Sequence, residues 1–416
     1  MIIRKLLPQE DRSVYLKWIL VGLLIRLALM PFTIHGDIVG RNWTAYFLTY
    51  QGYLPSHYMH HPPLAYYIMS FFQFLFKPVM PFYGDSPYSA GHWTNGPYVF
   101  RFLFLLKSYY LFFDFGAAFL LLRLIDGQKK RLLAFKFWIL NPVIIFVTYI
   151  HGQFDILPTF FLTLSLYYTA KNRLVRSFFW LGIGAAIKNF LFLYLVPSII
   201  LLGKGKIEKL KLLLWATVPY LALIYPYLGK PGSQDIGVWS GQSQRILDFE
   251  FNLGDFDRVY VFIIGYTIIS VFTYIHDHAS NGKVMYERVW RVELMVSLWL
   301  YITVLFHPQW FVWIMPLLTL FILENKRLIT LYWLLVICFF VYTFRWGRGL
   351  FGRLFMPIDP VFFSKIKSPA EFIVSFYPYA RFIHIFRSIF AGVLIWMMYE
   401  VYRILFPRKE TGKKEA

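Results

Sequence analysis

Eleven apolar segments recur along this chain, near residues 17 to 34, 98 to 124, 132 to 150, 155 to 170, 177 to 202, 211 to 228, 258 to 275, 291 to 306, 309 to 323, 328 to 344 and 383 to 405. A hydrocarbon core about 30 Å thick needs about 20 apolar residues per helix, and backbone polar groups inside it must bond within their own segment. The pattern predicts an all-α polytopic membrane protein with about 11 to 13 transmembrane helices, forming a single transmembrane domain over 1–416. Composition agrees, because 58% hydrophobic, 21% aromatic and only 15% charged residues, with a mean hydropathy of +0.53, exclude a soluble globule. The first segment lacks a small-residue cleavage site and reads as a retained helix.

The net charge of +20 does not point to nucleic acid. Its Lys and Arg residues fall in short gaps, at Lys129 to Arg131, Lys171 to Arg176, Lys204 to Lys211, Lys283 to Arg291, Lys326 and Arg327, and in the tail at Arg408, Lys409, Lys413 and Lys414. That distribution orients spans with these gaps in the cytoplasm. It places the long loops, residues 35 to 97, 229 to 257 and 345 to 381, on the opposite face. The first of them is expected to carry re-entrant or juxtamembrane helices. A single cysteine, Cys338, excludes an intrachain disulfide framework and a cysteine metal site.

Two charges fall deep inside apolar runs. Segment 177 to 202 is too long for one span and too short for two, and Lys188 and Asn189 sit at its centre with Pro197 following. A pair of half-spanning helices meeting at Lys188 accommodates this, provided that a polar cavity receives the irregular backbone. Asp114 lies mid-span and needs a partner, for which Lys188 is the candidate.

The first loop opens on His35-Gly36-Asp37 and later carries His60-His61-Pro62-Pro63-Leu64-Ala65-Tyr66. Asp37 follows the first apolar run directly, so its carboxylate lies at the water–lipid boundary. Read blandly, it is a solvated turn aspartate. The Gly-Asp pair, Trp43 and the Pro-Pro-Leu element together resemble the first luminal loop of the GT-C superfamily of polyprenyl-phosphate-sugar-dependent glycosyltransferases, in particular the dolichyl-phosphate glucosyl- and mannosyltransferases. The resemblance implies a GT-C-like fold with a large first extracytoplasmic loop and assigns the catalytic base to Asp37. Asp37 has no adjacent carboxylate, so the acidic metal pair of some members is absent and no metal or other cofactor is expected.

The chemistry agrees independently. Inverting displacement at an anomeric carbon bearing a phosphate needs one carboxylate to take the acceptor proton and no general acid, because phosphate leaves readily at neutral pH. Candidate substrate-binding residues are His61, then His151, Gln153 and Asp155 in the turn between the third and fourth spans, and Lys188. His307 and Gln309, in Phe306 to Pro316, extend the set on the same face. The loop residues Arg345, Arg348 and Arg353 suit a lipid phosphate by their rigid multi-donor forks. Trp310 and Trp313 read as interfacial belt residues. Asp255 and Asp257 read as a helix-start element.

The expected activity is transfer of a hexose, mannose first and glucose second, from a polyprenyl-phosphate donor to a lipid-linked or other glycan acceptor on the non-cytoplasmic face. The membrane is the plasma membrane in a prokaryote or the endoplasmic reticulum in a eukaryote. Expected partners are the lipid-linked sugar donor, the glycan or glycolipid acceptor and membrane lipids. The alternative is a lipid-linked glycan transporter or flippase, which shares the broken helix and buried charges but calls for pseudo-repeats and polar loops on both faces.

Overall fold

The computed structural model describes residues 12–80, 96–230, 241–276 and 283–406. The basic tail at Arg408 to Lys414 lies outside the described residues. Five described helical stretches are long and apolar enough to cross a membrane: Arg12–Phe32, Val99–Leu124, Gln128–Ile150, Lys326–Leu350 and Tyr379–Leu405. Six shorter apolar helices, including Ile156–Ala170 and Val261–Ile275, pack among them. Leu16, Leu20 and Leu24 fall four residues apart on one outward stripe of the first helix and are about half exposed, a face suited to lipid contact. The opposite stripe carries the fully buried Tyr15, Gly22 and Arg26.

Segment 177 to 202 breaks where its polar centre predicts. A helix over Leu174–Ala185 ends, Lys188 adopts an extended backbone, and a 3-10 turn over Asn189–Tyr194 leads into the helix Leu195–Leu202. The neighbouring helix Lys206–Ile224 packs tightly on the first half: a Cβ at Gly182 would lie 2.0 Å from the Ala216 carbonyl oxygen, so only glycine permits this approach.

The chain is not purely helical. In the loop between the spans that end at Tyr227 and begin at Val261, an antiparallel hairpin pairs Glu250–Asn252 with Arg258–Tyr260. Asp255 and Asp257 therefore lie in a hairpin turn, closed by the Leu253 amide donating to the Asp257 carbonyl at 2.8 Å, and they do not start a helix. Alternation is too brief over three residues per strand to register against the apolar runs around it.

The partner of Asp114 also differs from expectation. Arg26 Nε lies 2.6 Å from Asp114 Oδ2, the Tyr149 hydroxyl donates to the same oxygen at 2.7 Å, and Trp138 Nε1 donates to Oδ1 at 2.7 Å. Arg26 donates further to the carbonyls of Gly22 and Ile139. Both charges are fully buried, and each is covered by several polar contacts.

Lys107 is a second fully buried cation. Lys107 Nζ donates to the carbonyls of Met30, Thr33 and Tyr149 and to the Thr33 hydroxyl, at 2.5 to 3.1 Å. It joins the end of the first helix to the start of the turn at 151 to 154. Gly152 in that turn has φ +74, and a Cβ there would meet Lys107 Cε at 3.1 Å.

Candidate active site

His35 adopts an extended backbone and caps the helix Gly36–Tyr46, its Nδ1 accepting from the Asp37 amide at 3.2 Å. Asp37 thus occupies the first turn, where a carboxylate complements the helix dipole. Arg41 lies one turn on, and its guanidinium donates to Asp37 Oδ2 at 2.7 Å and also to the Gln153 side-chain oxygen. Gln153 returns a bond from Nε2 to Asp37 Oδ2 at 3.2 Å and sits 3.0 Å from His151 Nε2. The His35 and His151 rings meet edge to face at 4.4 Å between centroids. One carboxylate is therefore fixed by residues 116 positions away, while its side chain stays 39% exposed.

Burial pushes the Asp37 carboxyl up, but the Arg41 guanidinium, the two nearby imidazoles and the Gln153 amide outweigh it and hold the group well below the usual carboxylate range. Burial lowers His35 and His151 as well, so both are neutral at pH 7 and Arg41 carries most of the effect there. Asp37 is accordingly ionised throughout the physiological range. Removing Arg41 should raise its pKa. We expect the acid limb of any Asp37-dependent activity to move to higher pH in Arg41→Ala, as read from a pH–rate profile; an unmoved limb would mean that Arg41 does not control this carboxyl.

Asp37 lines one of two adjoining cavities. The first, of about 460 Å³, is lined by Asp37, Arg41, Trp43, Thr44, Tyr58 and Gln242 together with His60 and His61. The second, of about 280 Å³, is largely apolar, walled by Phe190, Val196, Ile246, Tyr266, Trp310 and Trp313, with Lys188 and Asn189 as polar members. His60, His61 and Gln242 belong to both, so the cavities adjoin. Pro62 and Pro63 turn the chain into the helix Leu64–Phe76, and His61 packs edge to face on Phe154 at 5.0 Å, which fixes it at the junction.

The other expected site residues divide by position. Gln153 and His151 lie buried directly beneath Asp37. Asp155 does not point into the outer cavity: it is fully buried, held by Lys188 Nζ at 2.6 Å and by Trp313 Nε1 at 2.7 Å. Lys188 is therefore the partner of Asp155, not of Asp114, and its ammonium also rests over the rings of Phe154 and Trp313. Trp310 and Trp313 are not belt residues, because both are buried and stacked on one another at 5.1 Å inside the cavity wall. His307 packs against Trp310 and Trp346, and burial with nearby Arg245 pushes its pKa down to about 4. Gln309 is buried.

The arginines of the last loop line neither cavity among the described residues. Arg348 is taken up by Glu371 in an exposed ion pair, and Arg345 and Arg353 are exposed. The carboxylate of Glu371, 23 residues on, takes the central guanidinium of this loop. Two cations that the sequence reading passed over stand closer. Arg41 follows Asp37 at the i, i+4 spacing of a helical ion pair, a signal present in the sequence once this loop is read as a helix. Arg245 lies on the 3-10 segment Gly241–Leu247, whose Gln242, Ser243 and Ile246 line the apolar cavity.

No protein-family model matches the chain. Over 126 residues, 27% of its length, it is 23% identical to GPI mannosyltransferase 1 of Kluyveromyces lactis. Over 123 residues it is 29% identical to GPI mannosyltransferase 1 of Debaryomyces hansenii. The chain resembles GT-C glycosyltransferases. These matches span 31% and 27% of the two relatives, less than a third of their length. A solved structure of ArnT from Cupriavidus metallidurans, bound to undecaprenyl phosphate, aligns over 95% of this chain and 77% of that one, at 11% identity and a TM-score of 0.47. With five helical stretches long and apolar enough to cross a bilayer, the chain is an integral membrane protein.

Proposed function

We propose that this protein is an inverting hexosyltransferase that takes its sugar from a polyprenyl phosphate on the non-cytoplasmic face. The observation that carries the reading is an ionised aspartate at the edge of a polar cavity that adjoins an apolar one. A polyprenyl tail requires the apolar cavity, walled by Phe190, Trp310 and Trp313, and a glycan acceptor requires the polar one. In the reaction the acceptor hydroxyl attacks the anomeric carbon, Asp37 takes its proton, and the bond from the anomeric carbon to the phosphate oxygen breaks with its electrons on the phosphate. Lys188, in the wall of the apolar cavity, and Arg245, over the Trp310 ring, are the cations assigned to that phosphate. Arg41 orients Asp37 through its 2.7 Å contact. Mannose is the first choice of sugar, supported by the names of the two yeast relatives, and glucose is the second.

The test is transfer by the purified chain in detergent from synthetic polyprenyl-phosphate mannose and polyprenyl-phosphate glucose to lipid-linked glycan acceptors. Transfer with inversion from either donor is expected, and its absence from both would reject the reading. In the same assay Arg245→Ala should raise the apparent donor constant about ten- to a hundredfold, the loss of one charge-assisted contact of about 1.5 to 3 kcal/mol. An unchanged donor constant would remove Arg245 from the phosphate site. Transfer should also survive EDTA, since a single ionised carboxylate suffices for the base. Loss on chelation that Mn²⁺ or Mg²⁺ restores would overturn that expectation.

A further inference from the structure

Asp37 has no adjacent carboxylate along the chain. Folding brings together a different ligand set. His35, Asp37 and His151 each place one ligand atom within 4.8 Å of the others, and Asp37 also lines the polar cavity. We propose that these three residues form a site for one divalent ion of the zinc type, and that its occupancy withdraws Asp37 from proton transfer.

Two further observations carry the proposal. Asp37 divides its oxygens: Oδ2 takes Arg41 and Gln153, whereas Oδ1 faces His35 at 3.7 Å and is open to a further ligand. An ion on Oδ1 leaves the Arg41 contact in place. His151 is 2% exposed, and its Nδ1 has no hydrogen-bond partner, a buried polar atom beside the cluster that the surrounding protein does not satisfy.

The donor set selects the metal. Two nitrogens and one oxygen suit zinc, cobalt(II) or nickel(II), whereas magnesium and calcium take oxygen ligands. Bonds of about 2.0 to 2.2 Å around a tetrahedral ion require the three atoms to close inward from 4.8 Å. The two partly exposed members, His35 and Asp37, have room to do so, and the contact that His35 gives up is a long one, 3.2 Å to a backbone amide. Three protein ligands leave a fourth tetrahedral position open. Arg41 lowers the affinity by repulsion without closing the site. The consequence for transfer rests on the assignment of Asp37 as the base; the site itself does not.

The experiment uses the tag-free full chain in detergent. After EDTA treatment and its removal, equilibrium dialysis against Zn²⁺ should give one saturable equivalent per chain, and Co²⁺ should give the visible absorption of a tetrahedral complex. His35→Ala, at a partly exposed position, and His151→Ala should each weaken Zn²⁺ by more than about 100-fold, beyond the 10- to 100-fold cost of outer-sphere changes. The Co²⁺ band should vanish in both. Absence of a saturable equivalent, or wild-type affinity in folded, monodisperse His35→Ala, would overturn the site. One equivalent of Zn²⁺ should suppress transfer by the wild-type chain, and EDTA should restore it. Zinc bound at these residues with transfer undiminished would overturn the withdrawal of Asp37. If no transfer occurs under any condition the enzymatic reading fails, and the dialysis and Co²⁺ results still decide the site.

Discussion

Asp37→Asn should insert and fold normally yet lose about 10²- to 10⁴-fold in transfer rate, the usual consequence of removing a general base. Folding should survive because the side chain is 39% exposed and the amide keeps its shape. The amide oxygen can still accept from Arg41, and Arg41 keeps its bond to Gln153. What the amide cannot do is take a proton at neutral pH. Among the described residues Asp37 is the sole carboxylate lining either cavity, so no neighbour can substitute. Asp155, the next carboxylate in the expected site, is fully buried and committed to Lys188 and Trp313. The measurement is single-turnover transfer at saturating donor and acceptor, with detergent-phase size exclusion to verify the fold. Wild-type turnover by Asp37→Asn would end the assignment of Asp37 and, with it, the zinc inhibition mechanism.

The largest effect on stability should come from Asp114, far from any chemistry. Asp114→Leu leaves Arg26 fully buried with the carbonyls of Gly22 and Ile139 and the ring faces of Phe115 and Tyr149 but no counter-charge, and breaking such a pair costs about 3 to 5 kcal/mol. The hydroxyl of Tyr149 and the indole of Trp138 lose their acceptor as well. Replacing both charges is a different case, because an apolar pair of similar volume has no uncompensated ion to bury. Arg26→Met with Asp114→Leu should therefore recover much of the loss. Thermal unfolding in detergent for the two single variants and the double variant measures this directly. A double variant no more stable than Asp114→Leu would mean that the surrounding hydroxyl and indole, not the unpaired guanidinium, dominate.

Apolar length and the placement of special residues were legible in the sequence because they are local properties. Runs near the thickness of a bilayer predicted helices near 17 to 34, 98 to 124, 328 to 344 and 383 to 405, and helices lie at Arg12–Leu29, Tyr110–Leu124, Ile329–Thr343 and Tyr379–Leu405. A polar centre in an overlong apolar run predicted the break at Lys188, since a lysine amid apolar residues conflicts with a continuous span. The abrupt change from apolar to polar at His35 placed Asp37 at the end of a span, where it now begins a helix. The pairing of the buried charges was not legible. Asp114 meets Arg26 across 88 residues and Asp155 meets Lys188 across 33, so sequence offered several acids for several bases and no distance to choose among them. The same limit misplaced Trp310 and Trp313, whose belt-like spacing along the chain is silent about which neighbour faces them. It also hid the contact of Gln153 and His151 with Asp37 and the donor set that these residues complete. The sequence by itself determined where apolar length ends and a reactive carboxylate begins. Only the tertiary structure decided which charges neutralise one another and which groups surround that carboxylate, because electrostatics acts through distances in space, and those exist only after the helices have packed.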